Sequence, residues 1–299
     1  MNLALVNGTF RMKETRKMQA TMKWLRTSTT NSSSTFGSHG VADLRFYNAE
    51  FCEWGAGEPL VLVPGLAGGI DLIEPLARRL AERFHVIAYQ LRGESDCFAL
   101  RRRFGLNDLA SDLAEFITWR RLERPFVLGV SFGGAIALKF AARNSERIAA
   151  LGLQGVGMRF ESNLVQRIAS MVLSSYPLPK DCAFFNQFFN VLFGHKASAS
   201  QLEHVTRTCW QTDQSVMSHR LRLLRRLDFQ DLLPQVCVPT MVVGGEKDIL
   251  VSRKNAQELA CALPYGRHTL IKKAGHLAPI SHVEETAGAL EQFFESIRF

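Results

Sequence analysis

The 299-residue chain reads as an α/β protein, a mostly parallel sheet covered by helices on both faces and interrupted once by a helical segment. Three observations carry that reading. Short apolar runs alternate with helix-period runs, the mark of parallel βαβ units. A Gly-x-Ser-x-Gly stretch, Gly129-Val130-Ser131-Phe132-Gly133, lies between an apolar run (Pro125–Leu128) and a helix-like run (Gly134–Ala142). The alternation stops after Gly155 and resumes only at Pro239.

Residues 1 to 40 are expected to form a disordered tail, since Thr27–Thr35 is low-complexity polar sequence with no apolar period to bury. Its Arg/Ser/Thr-rich composition also occurs in organelle transit peptides. A start at Met12, Met18 or Met22, or an inert tail, ranks above targeting. From Val41 the pattern is regular. A strand near Leu44–Trp54 leads through Gly55–Pro59 to a buried strand at Leu60–Val63. Leu72, Ile73, Leu76 and Leu80 then recur at helical spacing, and a strand follows through Phe84–Tyr89. A helix over Asn107–Arg121 precedes the Phe126–Val130 strand and the Ser131 turn, and Ile148–Leu153 is the next strand.

From Val156 to Leu233 the chain is mostly helical and aromatic, with Phe184-Phe185-Asn186-Gln187-Phe188-Phe189 at its centre. That cluster reads as interior packing ahead of substrate-lining surface, because aromatics mainly fill cores. Strand Pro239–Val243, helix Lys254–Ala262, strand His268–Lys272 and a last helix over Val283–Ile297 complete the pattern. The organisation is therefore a tail (1–40), one core in two pieces (41–155 and 234–299) and an inserted helical block (156–233).

Composition narrows the function classes. An apolar share of 46% and a charged share of 21% are ordinary for a globular protein, and no apolar run approaches a bilayer span. The opening Met1–Val6 is too short for a signal peptide's apolar region. Six cysteines (Cys52, Cys97, Cys182, Cys209, Cys237, Cys261) stand singly, without a Cys-x-x-Cys pair, so neither structural zinc nor a disulfide framework is expected, and a reducing, cytoplasmic setting is the default. The net charge is +8, but six basic residues and one acid (Glu14) precede residue 41, so five of those charges belong to the tail. Arg220-Leu221-Arg222-Leu223-Leu224-Arg225-Arg226 reads as an amphipathic helix with a solvated basic face, ahead of an anion-binding patch.

The chemistry centres on Ser131. A serine at a sharp strand-to-helix turn is held in a strained backbone conformation that lifts its hydroxyl out of the sheet, with glycines on either side to avoid clashes. The helix behind it aims N–H groups at negative charge forming there. A serine nucleophile needs a base, and the base needs a group to orient it. His276, in Gly275-His276, follows the last expected strand, and Asp248, in Gly244-Gly245-Glu246-Lys247-Asp248, follows the one before. His276 would take the Ser131 proton, Ser131 would attack a carbonyl carbon, and Asp248 would steady the imidazolium. His282 is the weaker base, placed at the start of the last helix. Asp248 also fits as a helix cap, although Ser252 stands closer to that helix. Glu246 is a poorer partner, read as solvated. Two N–H donors are needed for the oxyanion. They are expected from Phe132 and, after Pro64-Gly65, from Leu66. Gly68-Gly69 lacks the Lys-Ser/Thr successor of a phosphate loop, so a nucleotide site is not expected.

On these residues the chain resembles the α/β-hydrolase superfamily from about Leu44 to Phe299. The matches are Val63-Pro64-Gly65-Leu66, Gly129–Gly133, Gly245-Glu246-Lys247-Asp248 and Gly275-His276, with nucleophile, acid and base in the superfamily's chain order. The resemblance implies an eight-stranded, mostly parallel sheet with a helical cap inserted after the sixth strand, where residues 156–233 fall. There are two departures. Pro64-Gly65 stands where many members have His-Gly, and the Asp-x-Arg-Gly-x-Gly-x-Ser stretch is shortened to Gln90-Leu91-Arg92-Gly93-Glu94-Ser95, which implies a local rearrangement.

The expected function is a serine hydrolase acting through an acyl-enzyme on a small or medium apolar ester or related carbonyl compound. It calls for no cofactor and no metal. The same triad serves C–C bond hydrolysis, acyl transfer and cofactor-free perhydrolysis, which stay open as alternatives. A non-catalytic ligand-binding protein would have no need of all three side chains. Nucleic-acid binding rests on the basic tail alone and is not expected. Substrate identity and oligomeric state stay open.

Overall fold

The computed structural model describes residues 37–94, 102–160, 167–168, 171–173, 183–225 and 227–297. The expected tail up to residue 36 lies outside them, as do Ser95 and the side chains of Phe184 and Phe185.

Eight strands form one sheet: β1 (Ser38–Leu44), β2 (Tyr47–Trp54), β3 (Pro59–Val63), β4 (His85–Tyr89), β5 (Phe126–Val130), β6 (Ala150–Gln154), β7 (Thr240–Gly245) and β8 (Gly266–Ile271), in the spatial order β1-β2-β4-β3-β5-β6-β7-β8. Only the β1–β2 and β2–β4 pairs are antiparallel. The remaining pairs are parallel, with Val63 opposite Gly129, Val130 opposite Gln154, and Gly245 opposite Ile271. Those pairings bring the carboxyl ends of β3, β5, β6, β7 and β8 to one edge.

The first strand starts at Ser38, ahead of Val41 where regular pattern is legible, and Arg45-Phe46 turns the chain into β2. Polar, small residues open β1, and most of its positions are exposed, as befits an edge strand. It therefore carries little apolar signal.

Burial on both faces explains the continuous apolar runs of the central strands. Leu60 and Leu62 of β3 pack with α1 (Gly69–Leu80) and α9 (Val283–Glu295) on one face. Val61 and Val63 point to the other face, against α2 (Leu106–Trp119), α3 (Phe132–Ala141) and α7 (Arg253–Ala262). Between β6 and β7 lie α4 (Ala183–Phe193), α5 (Ala199–Cys209) and α6 (Gln214–Leu224). A short helix, α8 (Ala278–Ser281), follows β8.

Helices α4 and α5 bury Phe189, Leu192, Phe193 and Val205 against Leu72 of α1 and Ile280 of α8. The segment leaves and re-enters the core through one antiparallel bridge. Arg159 faces Asp228, flanked by Phe160 N–H to Leu227 O (3.1 Å) and Phe229 N–H to Met158 O (3.0 Å).

Candidate active site

Ser131 sits at the end of β5 with φ 51° and ψ −113°, a conformation a non-glycine residue adopts only under constraint. The packing around it supplies that constraint. A Cβ on Gly129 would lie 2.5 Å from Gly134 Cα, and one on Gly133 would lie 2.2 Å from Val63 O. The two glycines of the motif are therefore set by close backbone approach between β3, β5 and the start of α3. Ser131 N–H donates to Gln154 O at 2.7 Å, tying the turn to the neighbouring strand.

The structure brings the three expected side chains together. Ser131 Oγ lies 2.8 Å from His276 Nε2, and His276 Nδ1 lies 2.8 Å from Asp248 Oδ2. The geometry suits the tautomer that carries its proton on Nδ1 and leaves Nε2 to accept from the serine. The other Asp248 oxygen, Oδ1, accepts from Leu250 N–H (2.8 Å) and Val251 N–H (3.0 Å), which fixes the carboxylate plane. Ser252 is the cap of α7, through its Oγ and Asn255 N–H. Burial alone would lower the His276 pKa. The charge of Asp248 and its hydrogen bond outweigh that and hold the imidazole above its ordinary value.

His282 stands at the start of α9, with its Nδ1 2.8 Å from Ser281 Oγ, apart from this arrangement. Glu246 accepts from Lys273 N–H at 2.9 Å, a bond that holds its carboxyl below the ordinary value. It steadies the turn before His276.

Leu66 and Phe132 are the two residues expected to supply oxyanion donors. Both line the cavity beside Ser131. Neither N–H has a hydrogen-bond partner among the described residues. Phe132 opens α3, so the helix's free N–H end faces the same spot.

The cavity above Ser131 has a volume of about 260 Å³, just under the usual range of ~300–1,000 Å³ for small-molecule sites. Its walls are almost wholly apolar, and include Ile73, Val156, Phe188, Phe189, Met217, Leu224 and Phe229. Arg159 is the only Lys or Arg on its lining among the described residues, and no carboxylate lines it. Phe189 is buried against Leu192 and Val205 and also reaches the cavity, so this residue of the aromatic cluster serves packing and lining at once. Sequence reasoning ranked interior packing ahead of lining. Helical register alone does not tell which interior it faces.

Two contacts between the inserted helices and the site have no sequence signature. Gly275 N–H donates to Phe193 O (2.9 Å) and Leu277 N–H to Leu192 O (3.2 Å), so the end of α4 holds both neighbours of His276. The expectation of a solvated basic face on α6 is corrected at one residue. Arg222 and Arg225 are exposed, but Arg220 is fully buried and paired with Glu94 at 2.6 Å. The shortened Gln90–Ser95 stretch supplies that partner, and its Arg92 pairs with Asp112 of α2 at 2.5 Å. Among the described residues no group of three or more His, Cys, Asp or Glu side chains could hold a metal ion, and no helix is long and apolar enough to cross a membrane.

Residues 58–283 match the family described as alpha/beta hydrolase fold. A pimeloyl-[acyl-carrier protein] methyl ester esterase of Stenotrophomonas maltophilia is 30% identical over 265 residues, covering 80% of this chain and 93% of the relative. Lipase 1 of Psychrobacter immobilis is 23% identical over 253 residues, covering 80% and 77%. A thermophilic esterase from Thermogutta terrifontis superimposes with a TM-score of 0.73 at 22% identity, over 88% of this chain and 99% of that one.

Proposed function

The chain belongs to the α/β-hydrolase fold family and is a hydrolase of that family, and from that premise we propose that it cleaves small or medium apolar esters by serine catalysis through an acyl-enzyme. The observation that carries the proposal is the continuous Ser131–His276–Asp248 hydrogen-bond chain opening into an apolar cavity. Residues 156–233 act in this reading as the cap that sets which acyl or alcohol group fits. The relatives' names, a methyl ester esterase and a lipase among them, support ester chemistry.

Each step follows from proton bookkeeping. His276 Nε2 takes the Ser131 hydroxyl proton as Oγ bonds to the carbonyl carbon. The carbonyl electrons move to oxygen, which Leu66 N–H and Phe132 N–H stabilise. When that oxyanion collapses, the C–O bond to the alcohol breaks, and His276 hands its proton to the departing oxygen. Water, deprotonated by His276, then attacks the acyl-enzyme, and the acid leaves as the proton returns to Ser131. Asp248 stays ionised throughout and keeps the imidazole oriented.

The test is intact-mass labelling with a fluorophosphonate, followed by a p-nitrophenyl ester series of graded chain length. A single adduct on the wild type, absent from Ser131→Ala, is expected, with turnover favouring acyl chains that fill the cavity. Folded wild type that takes no label and turns over no ester would end the proposal.

A further inference from the structure

Arg220 is fully buried on α6, inside the segment between β6 and β7, and every bond it makes reaches loops of the core. Its Nη1 donates to Glu94 Oε1 at 2.6 Å and to Leu66 O at 3.0 Å, while Nη2 donates to Arg92 O at 3.1 Å. Glu94, itself 4% exposed, accepts Leu91 N–H at 3.0 Å through its other oxygen. Buried Thr212, just ahead of α6, completes the cluster. Its Oγ1 donates to Glu94 Oε1 at 3.2 Å and accepts Gly68 N–H at 2.9 Å. The guanidinium carbon lies 5.7 Å from the centre of the Phe132 ring.

Stability alone explains such a pair poorly, because desolvating both ions often cancels their attraction. What the cluster does specify is backbone geometry. It holds the Leu66 carbonyl and the Gly68 N–H, two successive peptide groups directly after the Gly65–Leu66 peptide. On the other side, the preceding Pro64–Gly65 peptide follows directly from the end of β3 and packs against Gly133, where a Cβ would run into Pro64 O. The Leu66 N–H is thereby bracketed, and an oxyanion donor is effective only when preorganised.

We infer that Arg220, with Glu94 and Thr212, is the positioning group that sets the Leu66 N–H for oxyanion stabilisation, so that docking of α6 on the core is a condition of turnover. The inference rests on the reading of Leu66 N–H as an oxyanion donor. It assigns the shortened Gln90–Ser95 stretch a part in the site, since Glu94 is the counter-ion that lets Arg220 be buried there.

The full chain is compared with Arg220→Lys, Thr212→Val and Thr212→Ser. Each preparation is titrated to completion with a fluorophosphonate, and kcat and KM for p-nitrophenyl butyrate are expressed per titrated site. Affinity for a trifluoromethyl ketone, which forms a tetrahedral adduct on the serine, is measured alongside. Arg220→Lys and Thr212→Val are expected to lower kcat about tenfold or more with KM within about twofold, and to weaken the ketone by the same factor. Thr212→Ser, which keeps the hydroxyl, should stay within about threefold of wild type. If kcat and ketone affinity per site are unchanged in both damaging variants, whatever their melting temperatures, the cluster is structural only and the inference is overturned. Should Arg220→Lys not fold, Thr212→Val decides the matter on the same criterion. A wild type that never labels removes the serine reading and this inference together, whereas a labelling wild type beside unaffected variants removes this one alone.

Discussion

Ser131, His276 and Asp248 hang from the ends of β5, β8 and β7, whereas about half of the residues lining the cavity come from the stretch between β6 and β7 that carries α4, α5 and α6. The sheet-borne side is polar and exact in its geometry, with two hydrogen bonds of 2.8 Å in series. The helical side is apolar and offers shape. Two of its polar groups, Arg220 and Thr212, turn away from the cavity toward the core loops, while Arg159 stays on the lining. In the proposed reaction, bond-breaking and substrate fit are thus held by separate groups, which are joined at the Arg220 cluster and at the α4 carbonyls beside His276.

Substitutions on the sheet-borne side should separate the two regions most sharply. Ser131→Ala is expected to lower kcat for any ester substrate roughly 10⁴- to 10⁶-fold without changing the melting temperature by more than a few degrees. Steady-state hydrolysis and a thermal melt together check this. A loss of tenfold or less would mean the reaction does not pass through Ser131. Asp248→Asn should cost roughly 10³- to 10⁴-fold by destroying the tautomer and orientation of His276.

The same pair predicts a pH signature. His276 must be neutral to accept the serine proton, so the acid limb of kcat/KM should have its midpoint above the ordinary imidazole value of about 6.5. Asp248→Asn should move that midpoint down, since burial then acts alone. Stability follows the opposite direction. The folded-state value lies above the unfolded one, so the pair stabilises fully below about pH 6.5 and ceases to as pH rises through the folded value. Denaturant titrations of wild type and Asp248→Asn across that window should show their gap closing with rising pH.

On the helical side effects should be smaller and selective. Leu224→Trp, on the cavity wall, is expected to cost roughly tenfold in kcat/KM for the longest accepted acyl chain while leaving acetate esters within about threefold. A uniform fall across chain lengths would show that this wall does not set fit. The smallest effect should come from the C-terminal end of α1, where no residue lines the cavity. Arg79 joins α1 to Glu284 and Glu291 of α9 at 2.6 Å each, one partner largely exposed. Arg79→Ala should lower stability by only about 0.5–1 kcal/mol, with kcat unchanged.

The same division decides what is legible in the sequence. Ser131, Asp248 and His276 each follow a strand within a few residues, in glycine-marked turns whose purpose is local. Leu66 is legible because Pro64 has no N–H and Gly65 permits the turn. Arg220 is not, because the partner that makes it a buried ion is Glu94, 126 residues away, and a run of Arg and Leu at helical spacing reads as a solvated face. The carbonyls of Leu192 and Phe193 leave no trace in residue type at all. Phe188 and Phe189 announce burial but not that they also border empty space. Strand β1 is hidden for a different reason, since an edge strand opening Ser38-His39-Gly40 has no apolar face to display along its first half.

The facing pair Arg159 and Asp228 has a practical corollary. A stretch of chain whose two ends already touch behaves as a cassette, and closing the gap with a tight turn, or threading a foreign helical piece through it, costs the remaining framework little loop entropy. Such a transplant would bring a new substrate range with it. By the geometry of the Leu66 loop, it would have to bring its own arginine as well.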